Sequence, residues 1–136
     1  MKVLVDTSVW LLALRRTGTE GEPKVTEELG RLIDKGWVQM IGPVRQELLS
    51  GIRFDAQFEK LRLYLEPFPD LPIGTNDYEK AAEFFILCRR NRIQGSNTNF
   101  LICAVAARHH LPIFTLDDDF NRYQHYLLVE LHQPQE

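Results

Sequence analysis

The chain has 136 residues, with 16 Lys and Arg against 19 Asp and Glu, a formal net charge of −3. That length predicts one domain, 1–136, able to bury a core without staples. A hydrophobic share of 44% and a charged share of 26% exclude a disordered chain. The absence of any apolar run of about 20 residues excludes a membrane span. The opening Met-Lys-Val-Leu-Val-Asp reaches an acid too early for a signal peptide, so a cytoplasmic location is expected. Cys88 and Cys103 lie in apolar helical stretches without metal spacing and read as reduced, buried thiols.

Residues 2–6 form an apolar run ending on Asp6 and read as a buried strand. A helix follows over Val9–Arg16, and Gly18 to Pro23 is a loop by composition. Thr26 precedes a helix over Glu27–Lys35, stopped by Gly36. Val38–Ile41 is a second strand, closed by Gly42-Pro43, and Pro43 starts a short helix through Ser50. Phe54, Phe58, Leu61 and Leu65 make the stripe of an amphipathic helix over 54–66. Leu71–Ile73 reads as a short strand. Asn76 with Glu79 reads as a capping box opening a long helix to about Arg92. A loop surrounds Gly95, Thr98 caps an apolar helix over Phe100–His109, and Pro112–Leu116 and Val129–Leu131 complete the strands.

Strands alternating with helices predict an α/β sandwich with a mostly parallel sheet. In such folds ligands sit outside the carboxyl ends of the strands. Asp6 closes the first strand, Asp117 and Asp119 follow the strand at 112–116, and Glu47 lies on the helix after the second strand. Gathered carboxylates repel one another unless a cation offsets them. Oxygen-only ligands without His or Cys point to Mg²⁺ or Mn²⁺. Each acid also has a plainer role: Asp6 as the cap of the following helix, Glu47 as a solvated residue, Asp117-Asp118-Asp119 as a polar turn.

Four segments carry a resemblance: Val5-Asp6-Thr7-Ser8-Val9-Trp10, Pro43 to Gly51, Thr98 to Ala106, and Thr115-Leu116-Asp117-Asp118-Asp119-Phe120. In this order and spacing they resemble the PIN-domain ribonucleases, and more narrowly the VapC-type toxins of bacterial toxin–antitoxin pairs. The resemblance implies a three-layer sandwich whose mostly parallel sheet has about five strands flanked by helices. It implies a Mg²⁺- or Mn²⁺-dependent endoribonuclease cutting tRNA, rRNA or mRNA. Its acidic quartet would be Asp6, Glu47, position 99 and Asp117, with Asp6, position 99 and Asp117 on the metal and Asp119 as an auxiliary acid. Ser8 and Thr115 match positions of supporting hydroxyls near the carboxylates and are expected to contact substrate. It also implies a homodimer and a cognate VapB-like antitoxin.

The chain departs from this pattern at Asn99, where the family carries Asp. Asparagine keeps the shape and one carbonyl oxygen but loses the charge, and its NH₂ cannot bind a metal. The exchange fits deliberate silencing of a toxic nuclease or natural divergence, and Asn99 also suits a helix cap. The alternative function is a non-catalytic module that binds RNA or antitoxin. A dehalogenase-type phosphatase using Asp6 is disfavoured, because position 8 is Ser and no Lys lies beyond Lys80.

From Phe84 to Leu116 there is no Asp or Glu, and Arg89, Arg90, Arg92 and Arg108 fall in that stretch. Such a strip suits phosphate contacts. Arg89, Arg90 and Arg92 equally complement the negative end of the preceding helix. His109 and His110 read as capping or surface residues. The helices carrying Trp10, Leu11, Leu14 and Phe54, Phe58, Leu61 read first as core, and second as partner surfaces.

Overall fold

A computed structural model describes residues 1–15 and 23–135 of the chain. At its centre is β1 (Val3–Val5), flanked by β2 (Val38–Gln39) and β3 (Ile113–Phe114) in the order β2-β1-β3, all parallel. Val3 pairs with Val38, Leu4 with Gln39 and Ile113, and Val5 with Phe114. Successive strand residues face opposite ways. Val3, Leu4 and Val5 are all buried, so both faces of the sheet are covered, as a parallel sheet requires.

Among the described residues the expected five strands reduce to three. The two outer ones survive as single parallel bridges, Met40 to Asp70 and Ile113 to Leu131. Leu71 still donates its N–H to the Met40 carbonyl (3.0 Å), but Pro69 and Pro72 on either side remove the donors a longer ladder needs.

The crossover from β1 to β2 is made by α1 (Thr7–Leu14) and α2 (Pro23–Asp34). The α2 helix starts at Pro23, not after Thr26, because proline suits the first turn of a helix. Most of the predicted loop, residues 18–22, lies outside the described residues, as does Arg16. From β2 to β3 run α3 (Gly42–Ser50), α4 (Asp55–Leu65), α5 (Thr75–Arg90) and α6 (Asn97–His109). The short α7 (Asp119–Tyr123) follows β3.

Two caps differ from expectation. The N-terminus of α5 is closed by Asp77, whose carboxylate accepts the Gly74 N–H at 3.0 Å, not by Asn76 and Glu79. The N-terminus of α6 is capped by Ser96, whose hydroxyl accepts the Asn99 N–H at 3.0 Å, not by Thr98. Three helices end alike, with a left-handed residue after the last turn and a hydrogen bond back across it. Gly36 (φ 70°) closes α2, Arg92 (φ 62°) closes α5 and His110 (φ 55°) closes α6. The returning N–H groups are those of Trp37, Ile93 and Leu111. Glycine takes this conformation freely, whereas a side chain there costs about 1 kcal/mol.

One core runs from β1 through Trp10, Leu32, Met40, Ile102, Phe114 and Phe120. Cys88 and Cys103 are buried free thiols, as expected, and burial pushes the Cys103 thiol up. The amphipathic reading of the first and fourth helices needs correction. Trp10 is fully buried, but Leu11 (44%), Phe54 (65%) and Phe58 (40%) are exposed. Leu11, Leu14, Leu48, Ile52, Leu61 and Tyr64 instead line an open apolar groove of about 490 Å³. No helix among the described residues is long and apolar enough to cross a membrane.

Two buried carboxylates fasten the helices. Asp77 meets the Arg108 guanidinium twice, at 2.6 and 2.8 Å, and that cation holds its carboxyl below the usual range. Glu28 accepts from Arg31 at 2.9 and 2.8 Å, lies 2.5 Å from His132 Nε2, and accepts the Gln135 N–H at 3.3 Å. It thus pins the C-terminal segment to α2. Chiefly through the Arg31 bonds, its pKa falls to about 2. A lowered folded pKa stabilises above the unfolded value of 4.5, and that stability fades as pH falls towards 2. Glu28→Gln should therefore cost roughly 2 kcal/mol at pH 7 in urea unfolding, and almost nothing near pH 2. An equal cost at both pH values would contradict a charge-based role for Glu28.

Candidate active site

The site begins where β1 ends. Asp6 is 5% exposed, because the last residue of a central strand is enclosed by the turns that leave the strands beside it. It precedes α1, but its side chain caps nothing. Its Oδ2 instead accepts the Thr115 hydroxyl at 2.7 Å and the Ser8 hydroxyl at 2.9 Å. These hydroxyls are themselves engaged: Thr115 Oγ1 accepts the Asp117 N–H (3.0 Å) and Ser8 Oγ the Leu116 N–H (2.9 Å). The exits of β1 and β3 are therefore laced together through one carboxylate.

Asp117 follows directly, with its Oδ1 accepting the Asp119 N–H at 2.9 Å. The polar turn expected from Asp117-Asp118-Asp119 is present, and it is part of the same network. Asp119 pairs with Arg122 one turn along α7, so its charge is already partly matched. Glu47 projects from α3 to the rim, where the Thr7 hydroxyl donates to it at 2.6 Å. It stays exposed.

Asn99 lies in the first turn of α6, half-buried. Its amide NH₂ donates to the Tyr123 hydroxyl (3.2 Å), which donates to the Gln94 carbonyl (3.5 Å). Burial pushes the Tyr123 phenol up to about 12, with the Asn99 bond opposing and Asp119 and Asp117 adding repulsion. Tyr123 thus stands between the two acids and position 99. Sequence reasoning missed it, and also Thr7 and Gln94. The signals were there: Tyr123 is one helical turn after Asp119, and Thr7 adjoins Asp6.

Asp6, Glu47, Asn99 and Asp117 each keep one oxygen free of hydrogen bonds among the described residues. An oxygen-only set with spare lone pairs suits a hard dication. The set is also sparse: among the described residues, no three Asp, Glu, His or Cys side chains converge closely enough to hold a metal ion. The neutral amide at 99 contributes to that shortfall. The residues fit Mg²⁺ or Mn²⁺ in donor type, with one charge fewer than the resemblance implies.

Beyond the acids, Arg89, Arg90 and Arg92 are exposed at the end of α5. Arg108 is not available with them, since it is committed to buried Asp77. His109 is half-buried at the end of α6, with an unpartnered ring Nε2, and His110 is its left-handed cap.

The model of the PIN domain family matches residues 3–126. "VapC ribonuclease Mb1587" of Mycobacterium bovis is 30% identical over 121 residues, covering 88% of this chain and 89% of that protein. Among solved structures, FitAcB from Neisseria gonorrhoeae superposes with a TM-score of 0.76 at 22% identity, over 97% of each chain. VapBC2 from Rickettsia felis, bound to a DNA fragment from its promoter, gives 0.75 at 16% identity, over 97% and 98% of the chains.

Replacing Thr115 by Val removes both a donor to Asp6 and the acceptor of the Asp117 N–H. It should destabilise the chain by about 1–3 kcal/mol, measured by urea unfolding against Ser50→Ala, whose hydroxyl bonds only within its own helix. Equal stability of the two variants would show that the lacing carries no weight.

Proposed function

Because the chain belongs to the PIN-domain family, we propose that it is a VapC-type endoribonuclease, a toxin hydrolysing RNA phosphodiester bonds with Mg²⁺ or Mn²⁺. The observation that most supports this is the Asp6 carboxylate at the end of the central strand. Thr115 and Ser8 hold it there, and Asp117 lies within the same hydrogen-bond network. Asp6, Asp117 and the carbonyl oxygen of Asn99 are the ligands assigned to the cation. A bound dication supplies charge to offset the phosphate and lowers the pKa of a water.

The chain's own residues do the rest. Ser8 and Thr115 orient one oxygen of Asp6 and leave the other free. Glu47, held by Thr7 at the rim, orients the attacking water and takes its proton. Asp119 is the auxiliary acid, tempered by Arg122. Arg89, Arg90 and Arg92 hold backbone phosphates. RNA of the tRNA, rRNA or mRNA class is the substrate, and the chain acts as a homodimer.

The antitoxin partner is supported by the fold-level likeness to toxin–antitoxin assemblies. Its docking face is assigned to the apolar groove of α1, α3 and α4. A VapB-like segment with an apolar face would bury Leu11, Leu14 and Leu61 there.

Asparagine at 99 favours one second reading: a module that keeps RNA or antitoxin binding without cleavage. Restoring the carboxylate separates the two. Asn99→Asp should raise Mn²⁺-dependent cleavage of total tRNA by about two orders of magnitude, and Asp6→Ala in that background should abolish it. No cleavage by either form would leave the module reading standing, and equal cleavage by both would show that the charge at 99 is not needed.

A further inference from the structure

Beside position 99 lies a second concavity whose wall includes two of the arginines assigned to backbone phosphates. It has a volume of about 570 Å³ and is lined by Phe85, Arg89, Arg92, Ile93, Gln94 and Phe100. That size falls within the range of roughly 300–1,000 Å³ usual for ligand clefts. Its polar groups are unspent. Arg31, Arg45, Arg62, Arg108 and Arg122 all form ion pairs, but Arg89 and Arg92 form none among the described residues. The Gln94 side-chain amide makes no hydrogen bond there either. No acid falls between residues 84 and 116, so the lining segments carry positive charge alone.

The aromatic part is built to match. Phe85 is half-buried, with the Arg89 guanidinium 5.7 Å over its ring. Phe100 backs it edge-on, the ring centroids 5.3 Å apart. An aromatic ring under a planar cation is a surface on which a base stacks, whatever its identity. The loop carrying Gln94 is held in place: a Cβ at Gly95 would collide with the Tyr123 hydroxyl and the Phe100 ring. That loop is two hydrogen bonds from Asn99, through Tyr123. Arg92 keeps a side chain at a left-handed position where glycine would be relaxed.

We infer that this pocket takes one nucleobase of single-stranded RNA, next to the phosphate held at the Asp6 site. Phe85 stacks the base, Arg89 and Arg92 meet the phosphates beside it, and Gln94 reads its edge with one donor and one acceptor. The inference rests on the nuclease reading of the site, but its test needs no cleavage.

Binding of four labelled homopolymeric RNA hexamers to the unaltered chain is measured by fluorescence anisotropy in EDTA, with the four nucleoside monophosphates as competitors. The unaltered chain should discriminate among the hexamers. Gln94→Ala should flatten that discrimination. Arg92→Gly should weaken all four by about fivefold or more and reduce the salt slope by about one, with an unchanged or higher melting temperature. The inference is overturned by no binding, by equal binding of all four hexamers, or by Gln94→Ala weakening all four alike. It is also overturned by unchanged affinity in Arg92→Gly, or by monophosphates that compete as well as hexamers, which would mark a free-nucleotide site. Failure of Asn99→Asp to cleave would count against the nuclease reading and leave these binding results intact.

Discussion

The bond between the Thr115 hydroxyl and the Asp6 carboxylate joins residues 109 positions apart. It sets the arrangement on which the rest of the site depends. A parallel sheet leaves the ends of its strands unlaced, since each chain departs into a crossover helix. Here the gap between the two departing chains is closed by side chains. Thr115 and Ser8 each donate a hydrogen bond to Asp6 and accept one from a backbone N–H of the turn after β3. Asp117 and the start of α7 are thereby placed relative to β1. A nearly buried carboxylate is costly unless it is hydrogen-bonded, so local stability and the positioning of the acid come from the same contacts.

The helices beyond β2 serve this arrangement from a distance. The pairing of α5 with α6 is the most extensive helix contact, and it carries position 99 and the Gln94 loop together. Its polar fastening is Asp77 with Arg108. That pair removes one cation from the acid-free stretch and leaves the uncompensated charge at the end of α5. The net charge of the whole chain says little about how charge is presented.

Much of this was legible in the sequence. Val3-Leu4-Val5 followed by Asp6 read as a buried strand with an acid at its exit, and four motif segments in order pointed to the family. The misses have local causes. Leu71–Ile73 has strand-like residues, but Pro69 and Pro72 leave only one bridge, at Asp70 just before it. Asn76 and Glu79 have the spacing of a capping box, yet Asp77 wins because Arg108 awaits it. Leu11 and Phe58 obey helical periodicity, which shows that a face is apolar and not what covers it. Tyr123 has the spacing to share a face with Asp119, but its bond to Asn99 depends on α7 lying beside α6, which that spacing alone does not show.

The bond from Asn99 to Tyr123 has a direction, and the direction matters. An amide hands a proton to the phenol oxygen, leaving the phenol's own proton for the Gln94 carbonyl. A carboxylate at 99 has no proton to hand over. It would draw the phenol's single proton to itself and release Gln94. The residue at 99 thus sets the polarity of a short proton-donor chain as well as the charge of the acidic cluster. Exchanging Asn for Asp would turn the first bond round, break the second and loosen the loop at its far end.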